Sequence, residues 1–184
     1  MSDQPLKKKR RWLPITLIFA GGILAAGLVN SALDYTNRTE FCVSCHTMQT
    51  NFKELQETVH WSSASGVHAG CADCHVPKAF FPKMKAKILA AKDVYHEIVG
   101  TIDTPEKYEA RRWQMANAVW DKMRASDSRE CRSCHSVDHM DFEEQDKSAA
   151  KKHSQMVERG QTCIDCHQGI AHKEPDEPKD AKTN

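Results

Sequence analysis

The sequence predicts a mainly α-helical chain with much irregular structure: one membrane-spanning helix at the N-terminus, then a domain organised around four copies of a single cysteine motif. Three observations predict it. The 21 residues from Leu13 to Leu33 carry no charge. All eight cysteines fall into Cys-x-x-Cys-His motifs. Beyond residue 34, apolar residues recur at helical spacing and few runs alternate as strands do.

The uncharged run comes first. At 1.5 Å per residue, 21 residues reach about 31 Å, one hydrocarbon core. It follows a basic block, Lys7, Lys8, Lys9, Arg10 and Arg11. Lys/Arg-rich flanks stay in the cytoplasm. The chain therefore divides into a cytoplasmic basic segment (1–11), a transmembrane anchor (12–33), an external domain (34–172) and a polar, disordered tail (173–184). Pro14 is expected in the helix's first turn, where its missing N–H costs nothing. A cleaved signal peptide is the alternative, but secretory apolar regions run to only about 7–15 residues. The formal net charge of the 184 residues is +1, which gives no reason to expect nucleic acid as a partner.

The cysteines pair as Cys42/Cys45, Cys71/Cys74, Cys131/Cys134 and Cys163/Cys166, followed at once by His46, His75, His135 and His167. Cys-x-x-Cys-His is the attachment pattern of c-type haem. Two thiols add to the haem vinyl groups and the adjacent imidazole comes under the iron. Paired Cys-x-x-Cys units also make zinc ribbons, but zinc does not demand histidine next each time. With 10 histidines in 184 residues, four coincidences have odds of about one in 10^5. Disulfides meet the same objection, and a two-residue loop is a poor staple. The expected cofactors are four covalently bound haem c groups.

Electron-transfer iron usually carries six ligands. His60, His68, His96, His139, His153 and His172 are available, and Met48 lies two residues after His46. Methionine serves either as an axial ligand or as packing. A repeat narrows the choice. His60 stands 11 residues before Cys71, and His153 stands 10 before Cys163. The domain reads as two dihaem repeats, about 40–80 and 129–172. His172 lies too near His167 to fold back on the same haem, so it is expected at a neighbouring one. His68, His96 and His139 are expected to be solvated or hydrogen-bonded. The fold class becomes one transmembrane helix plus a multihaem cytochrome c domain.

Between the repeats, Pro82 opens a helix carrying Met84, Ile88, Ala91, Tyr95 and Ile98, which Gly100 closes. Thr104-Pro105 starts another, with Tyr108, Met115, Val119 and Met123 on its apolar face, and Ser126-Asp127-Ser128 ends it. Little conventional core remains. The porphyrins are expected to supply the apolar interior, and the chain without them is expected not to fold.

The residues Phe41-Cys42-Val43-Ser44-Cys45-His46-Thr47-Met48, Cys71-Ala72-Asp73-Cys74-His75-Val76-Pro77, Ile102-Asp103-Thr104-Pro105-Glu106-Lys107, Gln161-Thr162-Cys163-Ile164-Asp165-Cys166-His167 and Gly169-Ile170-Ala171-His172 together resemble the NapC/NirT family. That family comprises membrane-anchored tetrahaem quinol dehydrogenases, and the likeness covers nearly the whole chain. It implies Met48 as the first iron's ligand, with His46 a bystander. It implies the pairs His75 with His153, His135 with His172, and His167 with His60. It implies a quinol site beside the first haem, along 83–99, with Lys87 on the quinone oxygen and Asp93 taking the proton. The reading of the residues alone leaves that segment open to being a solvated helix face near lipid.

The resemblance thus implies a quinol dehydrogenase in the bacterial cytoplasmic membrane. Its N-terminus lies in the cytoplasm and its haem domain in the periplasm. Its partners are membrane quinol, lipid and a periplasmic reductase or that enzyme's cytochrome subunit, the nitrate reductase first and a nitrite or other terminal reductase second; self-association is left open. Two other classes remain. An electron-transfer module without its own quinol site would tolerate loss of Lys87 and Asp93. A terminal multihaem reductase would need an open iron position and a substrate pocket, and the supply of ligands disfavours it.

Overall fold

A computed structural model describes residues 5–156 and 158–178, with side chains from residue 12 onward. Among the described residues the regular structure is helical, with no strand. The first helix, α1 (Pro5–Tyr35), contains the apolar span Trp12–Tyr35, 24 residues with mean hydropathy 2.0. None of that span is buried against the rest of the chain. A free apolar helix of this length suits lipid, not a protein core.

One expectation fails here. Pro14 is not in the first turn, because the helix continues back to Pro5 and places Pro14 inside it. Proline cannot donate to the preceding turn. The Thr16 hydroxyl sits close by, donating to the carbonyls of Trp12 (3.2 Å) and Leu13 (2.8 Å). The side chains of the basic block, residues 1–4 and the tail beyond 178 lie outside the described residues.

After the anchor the helices are short wherever a cysteine motif falls. The first motif straddles the end of α2 (Thr39–Cys42), and α3 (Met48–Gln56) follows it. The second motif is itself α4 (Cys71–His75). The third lies at the end of α7 (Arg129–Arg132), and the fourth begins in a 3₁₀ turn, Cys163–Asp165. An aspartate within the motif fixes two of these starts. Asp73 accepts from the Gly70 N–H at 2.9 Å, and Asp165 from the Thr162 N–H at 2.7 Å. Each satisfies a donor that the first turn leaves free.

Two longer helices join the halves. α5 (Phe80–Ile98) begins two residues before Pro82, since proline is tolerated in a first turn. Gly100, at φ +70°, turns the chain after it. α6 (Pro105–Ala125) starts where the sequence places it: the Thr104 hydroxyl accepts from the Lys107 N–H at 3.3 Å. It ends at Ser126, and Asp127 and Ser128 take positive φ. α8 (Lys147–Met156) lies between the last two motifs.

The buried apolar side chains are Leu55, Ile102, Tyr108, Trp120, Met156 and Ile164. That is a small core for a domain of this length. What brings the motifs together is contact between their own elements. α2 packs on α4, α4 on α7, and α6 on the Cys163–Asp165 turn. The tail is not free at its start: the Lys173 N–H donates to Glu54 on α3 at 3.0 Å. Glu54 also pairs with the buried Arg112 of α6, which donates to the Lys173 carbonyl at 2.7 Å.

Candidate functional site

No two of the eight cysteines are joined in a disulfide. Cys42 of the first motif hydrogen-bonds Cys71 of the second. That contact favours the thiolate on Cys71, lowering its pKa to about 6, and holds the proton on Cys42. Burial, with the nearby Cys131 and Cys134 of the third motif, pushes Cys74 up to about 11. Burial and the nearby Cys163 of the fourth motif likewise raise Cys131. The four motifs therefore follow one another in space as they do along the chain.

The cysteines differ in exposure. Cys42, Cys45, Cys71, Cys74, Cys131 and Cys163 are half-buried, but Cys134 and Cys166 are exposed. The reason is local. Each is the second cysteine of its motif and falls just after the helical turn that carries the first, since α7 ends at Arg132 and the 3₁₀ turn at Asp165. The sulfur of Cys134 meets only the hydroxyl of its exposed neighbour Ser133, at 3.8 Å, as a hydrogen-bond partner. Cys131 and Cys134 still flank the same short turn, because the Cys134 N–H donates to the Cys131 carbonyl at 3.1 Å. The third pair is thus assembled, with one thiol toward the neighbouring motifs and one toward solvent.

The histidines meet in pairs. His75 stacks against His172 with ring centroids 6.2 Å apart and planes at 27°. His153 stacks against His167 at 5.9 Å and 29°. His60 stands edge-on to His135 at 6.2 Å and 81°. Each pair joins a motif histidine to a spare one: the two the repeat singled out, His60 and His153, and His172. With a metal–nitrogen distance of about 2.0–2.1 Å, and about 1.1 Å from nitrogen to ring centre, two imidazoles on opposite sides of one metal ion have centroids about 6.3 Å apart. The observed spacings fit a shared iron. They do not fit a shared hydrogen bond, which would bring the rings closer.

The pairings differ from those the family resemblance implies. His75 faces His172 and not His153; His135 faces His60 and not His172; His167 faces His153 and not His60. The last of these joins residues only 14 positions apart. The crossing between halves is carried by His60 to His135 and by His75 to His172.

The hydrogen bonds suit the same role. His172 Nδ1 donates to the Asn51 carbonyl at 3.1 Å, and His153 Nδ1 donates to Gln145 Oε1 at 2.7 Å. Outer bonds of this kind fix the tautomer and leave Nε2 with its lone pair toward a metal. His60 buries an Nδ1 that has no partner. Burial holds the pKa of His167 and His172 below the usual value, so both stay neutral. His75 keeps an exposed face, yet the surrounding chain and His172 bring it down to about 4. Neutral imidazoles are what iron binds. Among the described residues no three His, Cys, Asp or Glu side chains converge on one point, so no tetrahedral zinc set is assembled.

The remaining histidines serve otherwise. His96 Nδ1 hydrogen-bonds the Thr101 hydroxyl at 3.1 Å, His68 lies against Trp61, and His139 is exposed in a 3₁₀ turn. His46 pairs with no other ring. Its Nε2 donates to the Asp103 carbonyl at 2.9 Å, and its Nδ1 faces Glu97 at 3.4 Å. Met48, at the start of α3, is half-buried.

Lys87 lies on α5 beside the C-terminal end of the anchor helix. Its ammonium donates to the Thr36 carbonyl at 2.7 Å and the Thr36 hydroxyl at 3.0 Å. Partial burial lowers its pKa, and it is near enough to Cys42 for the two charges to interact. A pocket of about 200 Å³ opens at the same junction, lined by Tyr35, Arg38, Glu40, Phe41 and Ser44. Asp93 is exposed, about 120° round α5 from Lys87. Sequence reasoning passed over Glu97, Asn51, Glu54, Arg112 and Gln145. Each acts through a partner distant in sequence or through a loop, and no local pattern marks them.

Comparison with known proteins follows the same line. The family model described as NapC/NirT cytochrome c family, N-terminal region, matches residues 5–177. A putative tetraheme cytochrome-c type protein of Allochromatium vinosum is 58% identical over 98% of this chain and 100% of its own length. The cytochrome c-type protein NapC of Escherichia coli is 50% identical over 86% of this chain and 80% of its own. The denitrification system component NirT of Stutzerimonas stutzeri is 47% identical over 89% and 86%. No solved structure matches the chain.

Proposed function

Since the chain belongs to the NapC/NirT cytochrome c family, we propose that it is a single-pass tetrahaem cytochrome c that oxidises membrane quinol at the outer membrane face and delivers electrons to a periplasmic reductase. The observation that carries the reading is the placement of Lys87. It joins the outer end of the anchor to the first cysteine motif, where a lipid-soluble donor and the first haem must meet.

The holding residues follow from the site. The four cysteine pairs hold the haem groups. His75 with His172, His60 with His135, and His153 with His167 would supply nitrogens to three irons. Met48 would hold the first iron, as the family resemblance implies. When bound, the haem groups supply the one-electron acceptors that quinol oxidation requires. Lys87 has three donors and commits two to Thr36. The third is free to hold a quinol oxygen and to stabilise the negative charge that develops on it. Asp93, exposed on α5, takes the proton and passes it to the periplasm. The exposed Phe80, Phe81, Ile88, Leu89 and Tyr95 of α5 form a surface suited to the lipid boundary, and quinol would arrive along it. The basic block keeps the N-terminus in the cytoplasm.

Nitrate reductase is the first choice of acceptor, since the chain is 50% identical to NapC. A nitrite reductase is the second, since it is 47% identical to NirT. The test compares Lys87→Ala and Asp93→Ala with the unaltered holoprotein in detergent. The haem bands are followed after anaerobic addition of quinol and, separately, of dithionite. Both variants are expected to lose at least tenfold in the quinol-driven rate and nothing in the dithionite end point. Unchanged quinol rates would leave an electron-transfer module whose donor is another subunit.

A further inference from the structure

His46 is held by two oxygens that do not hold any other motif histidine. The Asp103 carbonyl can only accept, so the 2.9 Å bond to it requires hydrogen on His46 Nε2. Nε2 is therefore without the lone pair an iron would need. His153 and His172 show the opposite arrangement: Nδ1 is engaged and Nε2 is left free. On the other side of the ring, Glu97 Oε1 is buried, has no hydrogen-bond partner, and stands 3.4 Å from His46 Nδ1. Its second oxygen accepts from the hydroxyl of buried Thr47 at 2.7 Å. Glu97 thus grips the two residues that separate Cys45 from Met48.

We infer that Glu97, acting with the Asp103 carbonyl, is the positioning residue that keeps His46 off the first iron and leaves that iron to Met48. The inference rests on the haem reading above and goes beyond the ligand assignment itself: it says which residues of the chain enforce it. The mechanism is steric and directional. The Glu97–Thr47 bond orients the backbone between Cys45 and Met48, and the Glu97–His46 contact turns the imidazole toward the 100–103 loop. That loop is itself fixed, because Lys107 donates to the Gly100 carbonyl at 2.9 Å and to Asp103 at 2.6 Å. Without the Glu97 side chain and its bond to Thr47, the ring is free to rotate about its own side chain. Nε2 can then reach the position that the other three motif histidines occupy.

The test uses full-length holoprotein with unaltered sequence, Glu97→Ala, Glu97→Gln, His46→Ala and the double variant Glu97→Ala/His46→Ala. Intact mass first establishes the haem count in each. Near-infrared magnetic circular dichroism then reports the axial pair of each haem, and potentiometry its potential. Unaltered protein and His46→Ala are expected to share one haem that differs from three bis-histidine ones. Glu97→Ala should convert that haem to a histidine-bound signature with a lower potential, since methionine raises it. Glu97→Gln, which keeps an acceptor for Thr47, should retain the original signature, and the double variant should regain it. If His46→Ala alone alters the first haem, or Glu97→Ala leaves all four unchanged, the inference is wrong. A chain lacking haem mass would overturn the haem reading itself, and this inference with it.

Discussion

Ser128 shows how much one residue holds in this fold. Its side chain is wholly buried, its φ is +48°, and its hydroxyl accepts from the Ile164 N–H at 3.1 Å. The bond ties the segment before the third motif to the fourth. Left-handed conformation at a serine costs about 1 kcal/mol, so the position survives only because the hydroxyl is needed. Ser128→Ala would leave a buried N–H unpaired and is expected to destabilise the holoprotein by about 1–3 kcal/mol, read from denaturant unfolding. Arg112 and Glu54 form the other singular contact. Glu54→Ala removes one partner of the buried Arg112 guanidinium, leaving Glu109 and the Lys173 carbonyl, and is expected to cost about 1–3 kcal/mol. It also releases the Lys173 N–H, and with it the loop that delivers His172. On the proposed ligation, a haem between His75 and His172 should therefore change its spectrum while one between His153 and His167 does not. Neither contact is legible in the sequence. Ser128 reads there as part of a helix stop, and Arg112 as one more charge on an amphipathic helix. The exposure of Cys134 is equally silent, because a motif fixes which residues pair and not which of the two faces solvent.

Among the elements, the helix boundaries are the most legible feature. Thr104-Pro105 announces α6 because a hydroxyl cap and a proline act locally. Thr104→Ala is expected to weaken the fold by about 0.5–2 kcal/mol, measured as a lowered unfolding midpoint. The start of α5 lies two residues earlier than the sequence suggests, since Pro82 fits inside a first turn as well as at its edge. The spare histidines are legible as a set, because two of them recur at matched distances from the next motif. Their partners are not. Helical spacing says which face a residue occupies, not which distant element meets it. His172 reaches His75 only because Asn51, Glu54 and Arg112 draw the C-terminal loop onto α3. Gln145 likewise holds His153 over His167, its neighbour in sequence.

At the scale of the whole molecule, an exposed apolar helix and a domain with a small core are two halves of one arrangement. None of the apolar span is buried against the rest of the described chain, and a helix of that length and composition suits a membrane. The outer domain buries six large apolar side chains among its described residues. Such a core offsets little of the entropy of ordering its chain. The three histidine pairs, at 5.9–6.2 Å, have the spacing that the proposed iron ligation requires. Stability, ligand geometry and redox function therefore depend on the same bound groups. The direct measurement is the intact mass of the natively purified chain, with circular dichroism of the same sample. A mass exceeding the polypeptide by four haem groups, with a helical spectrum lost when attachment is blocked by Cys→Ser at the motifs, is the predicted result. A folded chain at the bare polypeptide mass, or one carrying zinc, would contradict it.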